Sequence, residues 1–197
     1  SQFPLLWHVN DPEEFWDRAR IPAWALERGW YYGGGGFVNN EAQYTQVLNV
    51  LKQNPSLKVV FAHFFFMSAQ LPRLSRILDE YPNVCVDLTP GVEMYFNFSV
   101  NLAATRDFFL RYQDRILFGT DIGAKALLVD PAQGIKPAES LERVNLIRQF
   151  LESDGEFKLN SESGFLFGNS GAPLHGIALP EEVIQKIYCK NFERIVS

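Results

Sequence analysis

Arg115-Ile116-Leu117-Phe118-Gly119-Thr120-Asp121 decides the fold. It is a short, nearly unbroken apolar run that ends in a carboxylate. A helical stretch, Arg106 to Tyr112, precedes it across the break Gln113-Asp114. The same order occurs twice upstream. Val47 to Asn54 reads as helix, Pro55 interrupts, and Leu57-Lys58-Val59-Val60-Phe61-Ala62-His63 follows. Leu74 to Tyr81, Pro82 and Asn83-Val84-Cys85-Val86-Asp87 repeat the pattern. Pro4-Leu5-Leu6-Trp7-His8-Val9 is a fourth β candidate near the head of the chain. Continuous rather than alternating apolar runs are typical of strands covered on both faces, as in parallel sheets. Helical stretches between them make the connections βα crossovers. Proline cannot continue a helical ladder, so Pro82 acts as a stop. The expected class is α/β, with parallel strands alternating with helices.

Other helices are signalled by their ends. Asp11-Pro12-Glu13-Glu14 offers a cap residue, a first-turn proline and two acids near a positive helix end. Asn40 is positioned to cap a helix from Glu41 to about Gln53. Leu71, Leu74, Ile77 and Leu78 form one apolar stripe, and Leu141, Val144 and Ile147 suggest another over Ser140 to Leu151. Leu179-Pro180-Glu181-Glu182 opens a last helix. Gly29 to Asn39 and Asp154 to Gly176 read as loops, the second long for a compact domain.

Composition narrows the function classes. The chain has 197 residues, 47% of them hydrophobic and 21% charged, which suits one globular domain over residues 1–197. A net charge of −5 lacks the basic footprint of a nucleic-acid binder. No apolar stretch is long enough to span a membrane. Cys85 and Cys189 have no paired spacing, so neither a zinc-knuckle motif nor a disulfide framework is indicated. Reduced thiols and a cytoplasmic setting are expected.

In α/β proteins, ligands bind outside the carboxyl ends of the strands. His8, His63, Asp87 and Asp121 all stand at or beside such ends. The chain has only three histidines, and two are in this group. Imidazole and carboxylate are standard zinc ligands. These residues are too far apart in the chain for a local metal loop and suit one strand apiece. A metal held there would activate water, and Asp121 could carry its proton. Blander roles compete at every position. Asp121 could cap the next element, Asp87 could bind backbone amides, Asp11 could cap a helix, and His175 could be a solvated loop residue. Gly33-Gly34-Gly35-Gly36 lacks the Lys-Ser/Thr of a phosphate loop and reads as flexibility, with a lid as the alternative. Phe64 to Phe66 reads first as packing. Glu93 either reaches the site or faces water.

Taken in order, these pieces resemble the metal-dependent amidohydrolase superfamily. The likeness is closest to its amidohydrolase-related branch of decarboxylases, lactonases and hydratases. Leu6-Trp7-His8-Val9 with Asp11-Pro12 resembles the fifth strand and its loop. Val59 to Phe64 is similar to the sixth strand, Tyr81 to Asp87 to the seventh and Arg115 to Asp121 to the eighth. Ile187 to Ile195 resembles the C-terminal helix signature. The resemblance implies the second half, strands five to eight, of a TIM (β/α)8 barrel. It implies His8 as a metal ligand, His63 as a second ligand or an acid/base group, and Asp121 as a ligand and proton shuttle. The implied metal is zinc, or manganese. The family's first-strand His-x-His pair is missing from this chain. The expectation is therefore an absent N-terminal half, with a homo-oligomer or pairing with that half covering the open strand edges.

Two function classes follow. One is an enzyme that hydrolyses or decarboxylates a small carboxylated or cyclic substrate, with this chain inactive by itself. The other is a non-catalytic α/β binding or scaffold domain with an incomplete metal site. A flavodoxin-like nucleotide binder ranks last, because the acidic loop after Val9 would repel phosphate.

Overall fold

The computed structural model describes residues 3–91, 93–122, 137–159 and 172–197. Four strands lie in chain order in one parallel sheet: β1 (Leu5–Trp7), β2 (Val59–Phe61), β3 (Val84–Asp87) and β4 (Ile116–Leu117). Register pairs Leu6 with Val60, Val60 with Cys85, and Asp87 with Leu117. Each crossover steps the same way across the sheet. Right-handed βα crossovers that never reverse place their helices on one face. The observed order thus lacks the strand-order reversal that a flavodoxin-like binder uses for its ligand.

The covering helices are α2 (Asn40–Gln53), α3 (Leu71–Glu80) and α5 (Leu102–Arg111), with α1 (Ala23–Glu27) and α4 (Met94–Val100) in the connections. Later come α6 (Pro137–Glu152), α7 (Glu181–Gln185) and α8 (Asn191–Val196). Val59, Phe61, Val84, Val86 and Ile116 project from the sheet into one large core with Tyr44, Leu74, Phe109 and Phe150. Phe64, Phe98, Phe109 and Phe150 are completely buried and pack ring against ring. Each buried phenyl stabilises the fold by roughly 1.5–3 kcal/mol.

The opposite face presents Leu6, Val60, Cys85 and Leu117. Among the described residues, Ile195 and Val196 of α8 pack on it, against Val60, Cys85 and Leu117. Leu6 is 66% exposed. Hydrogen bonds from three side chains hold α8 there, one of them from Arg194 to Asp114 O. Asn191 Nδ2 donates to Gln113 O and Ile116 O at 2.7 and 2.8 Å. Lys58 Nζ donates to Ile195 O at 3.1 Å. A π-helical turn, Lys186–Lys190, widens the helix just before, and the Ile187 carbonyl accepts from Phe118 N–H at 2.9 Å.

Several local expectations shift. The cap position of α2 is Asn39, one residue earlier, and the side chains of both Asn39 and Asn40 accept from Glu41 N–H at 2.9 Å. Asp11 makes no cap. The turn Glu13–Trp16 is a single 3-10 turn led by Pro12. On α6 the buried stripe is Arg143, Leu146, Ile147, Phe150 and Leu151, while Leu141 is exposed. The long segment after Asp154 contains a small antiparallel pair, β5 (Glu156–Phe157) and β6 (Leu174–His175); its middle, residues 160–171, lies outside the described residues. Among the described residues no helix is long and apolar enough to cross a membrane.

Candidate active site

The chain leaves β2 through an unusual turn. His63, Phe64, Phe65 and Phe66 all have positive φ, between 50° and 58°. A left-handed turn of L-residues costs about 1–2 kcal/mol per residue. The phenylalanines offset that cost. Phe64 sits among Phe98, Phe108 and Phe109, and Phe65 stacks on Phe61 with centroids 3.9 Å apart. Tyr44 Oη donates to Phe65 O at 3.2 Å. The aromatic run is therefore packing that sustains a strained turn, and His63 is the residue the turn presents at the strand end. Strain of this kind gathers at functional sites.

His63 is fixed from two directions. Its backbone N–H donates to Asp87 Oδ1 at 2.9 Å, and its Nδ1 lies 3.3 Å from Thr89 O. A carbonyl can only accept, so this contact places the proton on Nδ1 and leaves the Nε2 lone pair available. Burial, with a smaller push from His8, lowers the imidazole pKa to about 4. His63 is thus neutral at neutral pH. His8, exposed at the end of β1, meets it edge-on with ring centroids 5.1 Å apart. Phe66 contacts both rings.

Asp87 ends β3 and accepts from two backbone amides, His63 N–H and Thr89 N–H, through one oxygen. Burial outweighs those bonds and pushes its carboxyl up to about 6. β4 runs hard against it. A Cβ on Gly119 would lie 2.5 Å from Thr89 Oγ1 and 3.2 Å from Asp87 Oδ2, so only glycine fits there. Two residues on, Asp121 has φ 54° and an exposed side chain. Arg143, almost fully buried on α6, reaches Asp121 Oδ2 at 3.3 Å and Thr120 O at 3.2 Å. Glu139 holds the other end of the guanidinium at 2.9 Å.

His8, His63, Asp87 and Asp121 line one cavity of about 770 Å³. Thr89 and Thr120 complete its polar rim, and Leu6, Val60, Leu117 and Phe192 form its apolar floor. The floor is the sheet face opposite the main core, together with Phe192 of α8. The family model described as Amidohydrolase matches residues 10–196. This chain belongs to the amidohydrolase family. The match includes His63 and Asp121 and begins two residues beyond His8. No curated protein and no solved structure matches the chain. Membership indicates a hydrolase- or decarboxylase-type enzyme, and the parallel α/β sheet agrees with an amidohydrolase barrel fold.

Amidohydrolases generally use metal, and the donor types here are suitable: two imidazoles, one held neutral, and a carboxylate. The placement does not close a cage. Among the described residues no three His, Cys, Asp or Glu side chains cluster tightly enough to hold an ion. The residues in hand do not by themselves fit a metal.

Arg143 had no signal in the sequence beyond its place in an apolar helical stretch. Glu93 neither reaches the cavity nor simply faces water. Its Oε2 is sealed off without a partner among the described residues, and burial, helped by Glu14 and Asp11, pushes its carboxyl up to about 8. His175 lies in β6, half-buried, with its N–H donated to Ser99 Oγ. It does not line the cavity, and neither does Gly33 to Gly36.

Proposed function

We propose that this chain forms the strand-end rim of an amidohydrolase and corresponds to strands five to eight of a (β/α)8 barrel. The whole enzyme hydrolyses or decarboxylates a small carboxylated or cyclic compound. The observation that carries this reading is the meeting of His8, His63, Asp87 and Asp121 around one cavity, each from the same end of a neighbouring strand. The cavity volume is within the range of roughly 300–1,000 Å³ usual for small-molecule sites. The unreversed strand order and the one-sided helix layer support the barrel half. Closure takes eight strands, so in this reading another polypeptide segment or a second copy supplies the rest.

Within the site, His63 serves as a neutral acceptor through Nε2. Its low pKa suits a ligand or hydrogen-bond acceptor better than a base that must keep a proton. Asp121, held by Arg143, is the anionic group that takes and returns a proton. Asp87, with a pKa of about 6, is poised for proton exchange near neutrality. His8, His63 and Asp121 are this chain's share of a zinc or manganese donor set, completed from outside it. The open donor arrangement among the described residues favours a second reading, a non-catalytic domain with an incomplete site.

Zinc titration of the purified chain, with a competing chelator, tests the assignment. The expected result is weak, easily chelated binding that His8→Ala, His63→Ala and Asp121→Asn each weaken further. Binding that none of the three changes ends the ligand assignment. No binding at all leaves only the non-catalytic reading for the isolated chain.

A further inference from the structure

The loop after β1 builds a second site, lined by residues other than those of the strand-end cavity. The turn Glu13–Trp16 presents Trp16, and the chain returns past α1 to place Tyr32 and Phe37 beside it. Trp16 and Tyr32 have ring centroids 5.0 Å apart with planes at 57°. Tyr32 and Phe37 are 4.8 Å apart at 65°. The three rings pack on one another in tilted and edge-on contacts. They bound an open space of about 470 Å³ whose remaining sides include Asp11, Gln43 and Gln46.

The walls are pre-set by backbone contacts. Tyr32 N–H donates to Phe15 O at 2.9 Å, which ties one wall to the turn that carries the other. Gly33 lies so close that a Cβ there would be 2.3 Å from Trp16 O. This gives the first residue of the tetraglycine run a steric reason to be glycine.

The electrostatics of the space have one sign. Aromatic faces carry negative potential. Asp11 is partly withdrawn from water, and burial raises its pKa. Burial, and after it the charge of Asp11, raise the pKa of Tyr32, and both residues line the space. The nearby guanidinium of Arg18 is engaged elsewhere, over the Tyr31 ring at 5.5 Å.

We propose that Asp11, Trp16, Tyr32 and Phe37 form a binding site for a quaternary or methylated ammonium head group. An anion would meet the Asp11 carboxylate in a space lined by no Lys, Arg or His side chain among the described residues. A neutral apolar ligand would leave the carboxylate half-desolvated and uncompensated. A metal ion needs several oxygen ligands, and the described residues offer no three-donor cluster. A methylated ammonium has an apolar surface for the rings and a positive charge for Asp11. The site does not depend on the catalytic reading, because binding can be measured without turnover.

The probes are choline, tetramethylammonium and 3,3-dimethyl-1-butanol, the uncharged counterpart of choline, titrated against the chain by calorimetry. Choline and tetramethylammonium should saturate, with the neutral alcohol at least about tenfold weaker. Each cation–π contact or desolvated charge is worth up to a factor of that order. Asp11→Asn should weaken choline at least about tenfold. Phe37→Ala, at a position 60% exposed and so harmless to folding, should weaken it several-fold. The proposal is overturned by no saturation up to roughly 50 mM choline. Equal binding of the neutral alcohol, or affinity unchanged in both variants, also overturns it.

Discussion

The two faces of the sheet differ more than any other pair of regions. On one, Val59, Phe61, Val84, Val86 and Ile116 are at most 1% exposed and embedded in a continuous aromatic core. On the other, Val60, Cys85 and Leu117 are covered by a single short helix, and Leu6 is open. Every candidate catalytic side chain belongs to the second face or its rim. Stability is thus concentrated on one side and chemistry on the other, the usual division in barrel enzymes. The largest expected effect follows directly. Phe109→Ala removes a fully buried ring that touches Phe64, Phe98 and Phe150. It should cost about 3–5 kcal/mol in denaturant unfolding. A cost under about 1 kcal/mol would show that the core is not the anchor of the fold.

The open face should show the opposite sign. Asp87 has a folded pKa of about 6, above the ordinary 3.8. The folded state therefore keeps this proton in a range where the unfolded chain has lost it. Stability falls as pH rises from about 4 to about 6, and above that the full penalty is present. Asn accepts the same two amide bonds without a charge. Asp87→Asn should be more stable than the native chain above pH 6, by up to about 2–3 kcal/mol at 1.36 kcal/mol per pKa unit. That advantage should vanish toward pH 4. His63 works the other way. Its folded pKa of about 4 lies below 6.5, so its contribution improves stability as pH rises from about 4 to 6.5. The native pH profile in that window is flattened, and the difference between variant and native chain is the clean readout. An Asp87→Asn difference that does not change with pH would contradict the buried-carboxylate account.

The cover on the open face has its own weak point. Asn191→Ala leaves the Gln113 and Ile116 carbonyls without their donor, at about 1–3 kcal/mol. It also loosens α8 over Cys85. Cys85 is buried, and burial raises its thiol pKa, so it should resist a maleimide reagent while exposed Cys189 reacts at once. In Asn191→Ala a second thiol should become reactive at a rate well above that of global unfolding. Unchanged Cys85 protection would mean that α8 is held by something other than Asn191.

What could be read from the sequence follows the same division. The helix-covered side was legible because its physics is local: apolar runs of strand length, proline stops and the stripe on α3 all repeat within a few residues. The strand ends were legible as places, since a polar residue terminating an apolar run is visible in one dimension. Their surroundings were not. Nothing in His63-Phe64-Phe65-Phe66 announces four left-handed residues, because that conformation is held by Phe61, Phe98 and Tyr44 from elsewhere in the chain. Arg143 was hidden for a related reason. Of the stripe Leu141, Val144 and Ile147 only Ile147 is among the buried residues of α6, and the carboxylates of Asp121 and Glu139 with the Thr120 carbonyl make a buried guanidinium tolerable there. Glu93 was undecidable, because the burial of its carboxylate is a product of tertiary packing that no local pattern carries.

The smallest effect sharpens the comparison most. Leu6→Ser sits on the open face beyond the reach of α8. If nothing covers that face, the side chain already stands in water in the folded state and loses little when replaced. The change should stay within about 0.5 kcal/mol. Val60→Ala, one strand over and under Ile195, should cost more, because Val60 is only 6% exposed. If Leu6 instead costs as much as Val60, the face is covered in solution, and the cover must be another copy of the chain or a segment outside the sheet. Protein concentration separates the cases. A Leu6→Ser cost that grows with concentration marks a cover supplied by a second copy, because only association makes stability depend on mass action. A cost independent of concentration marks a cover from the chain's own polypeptide.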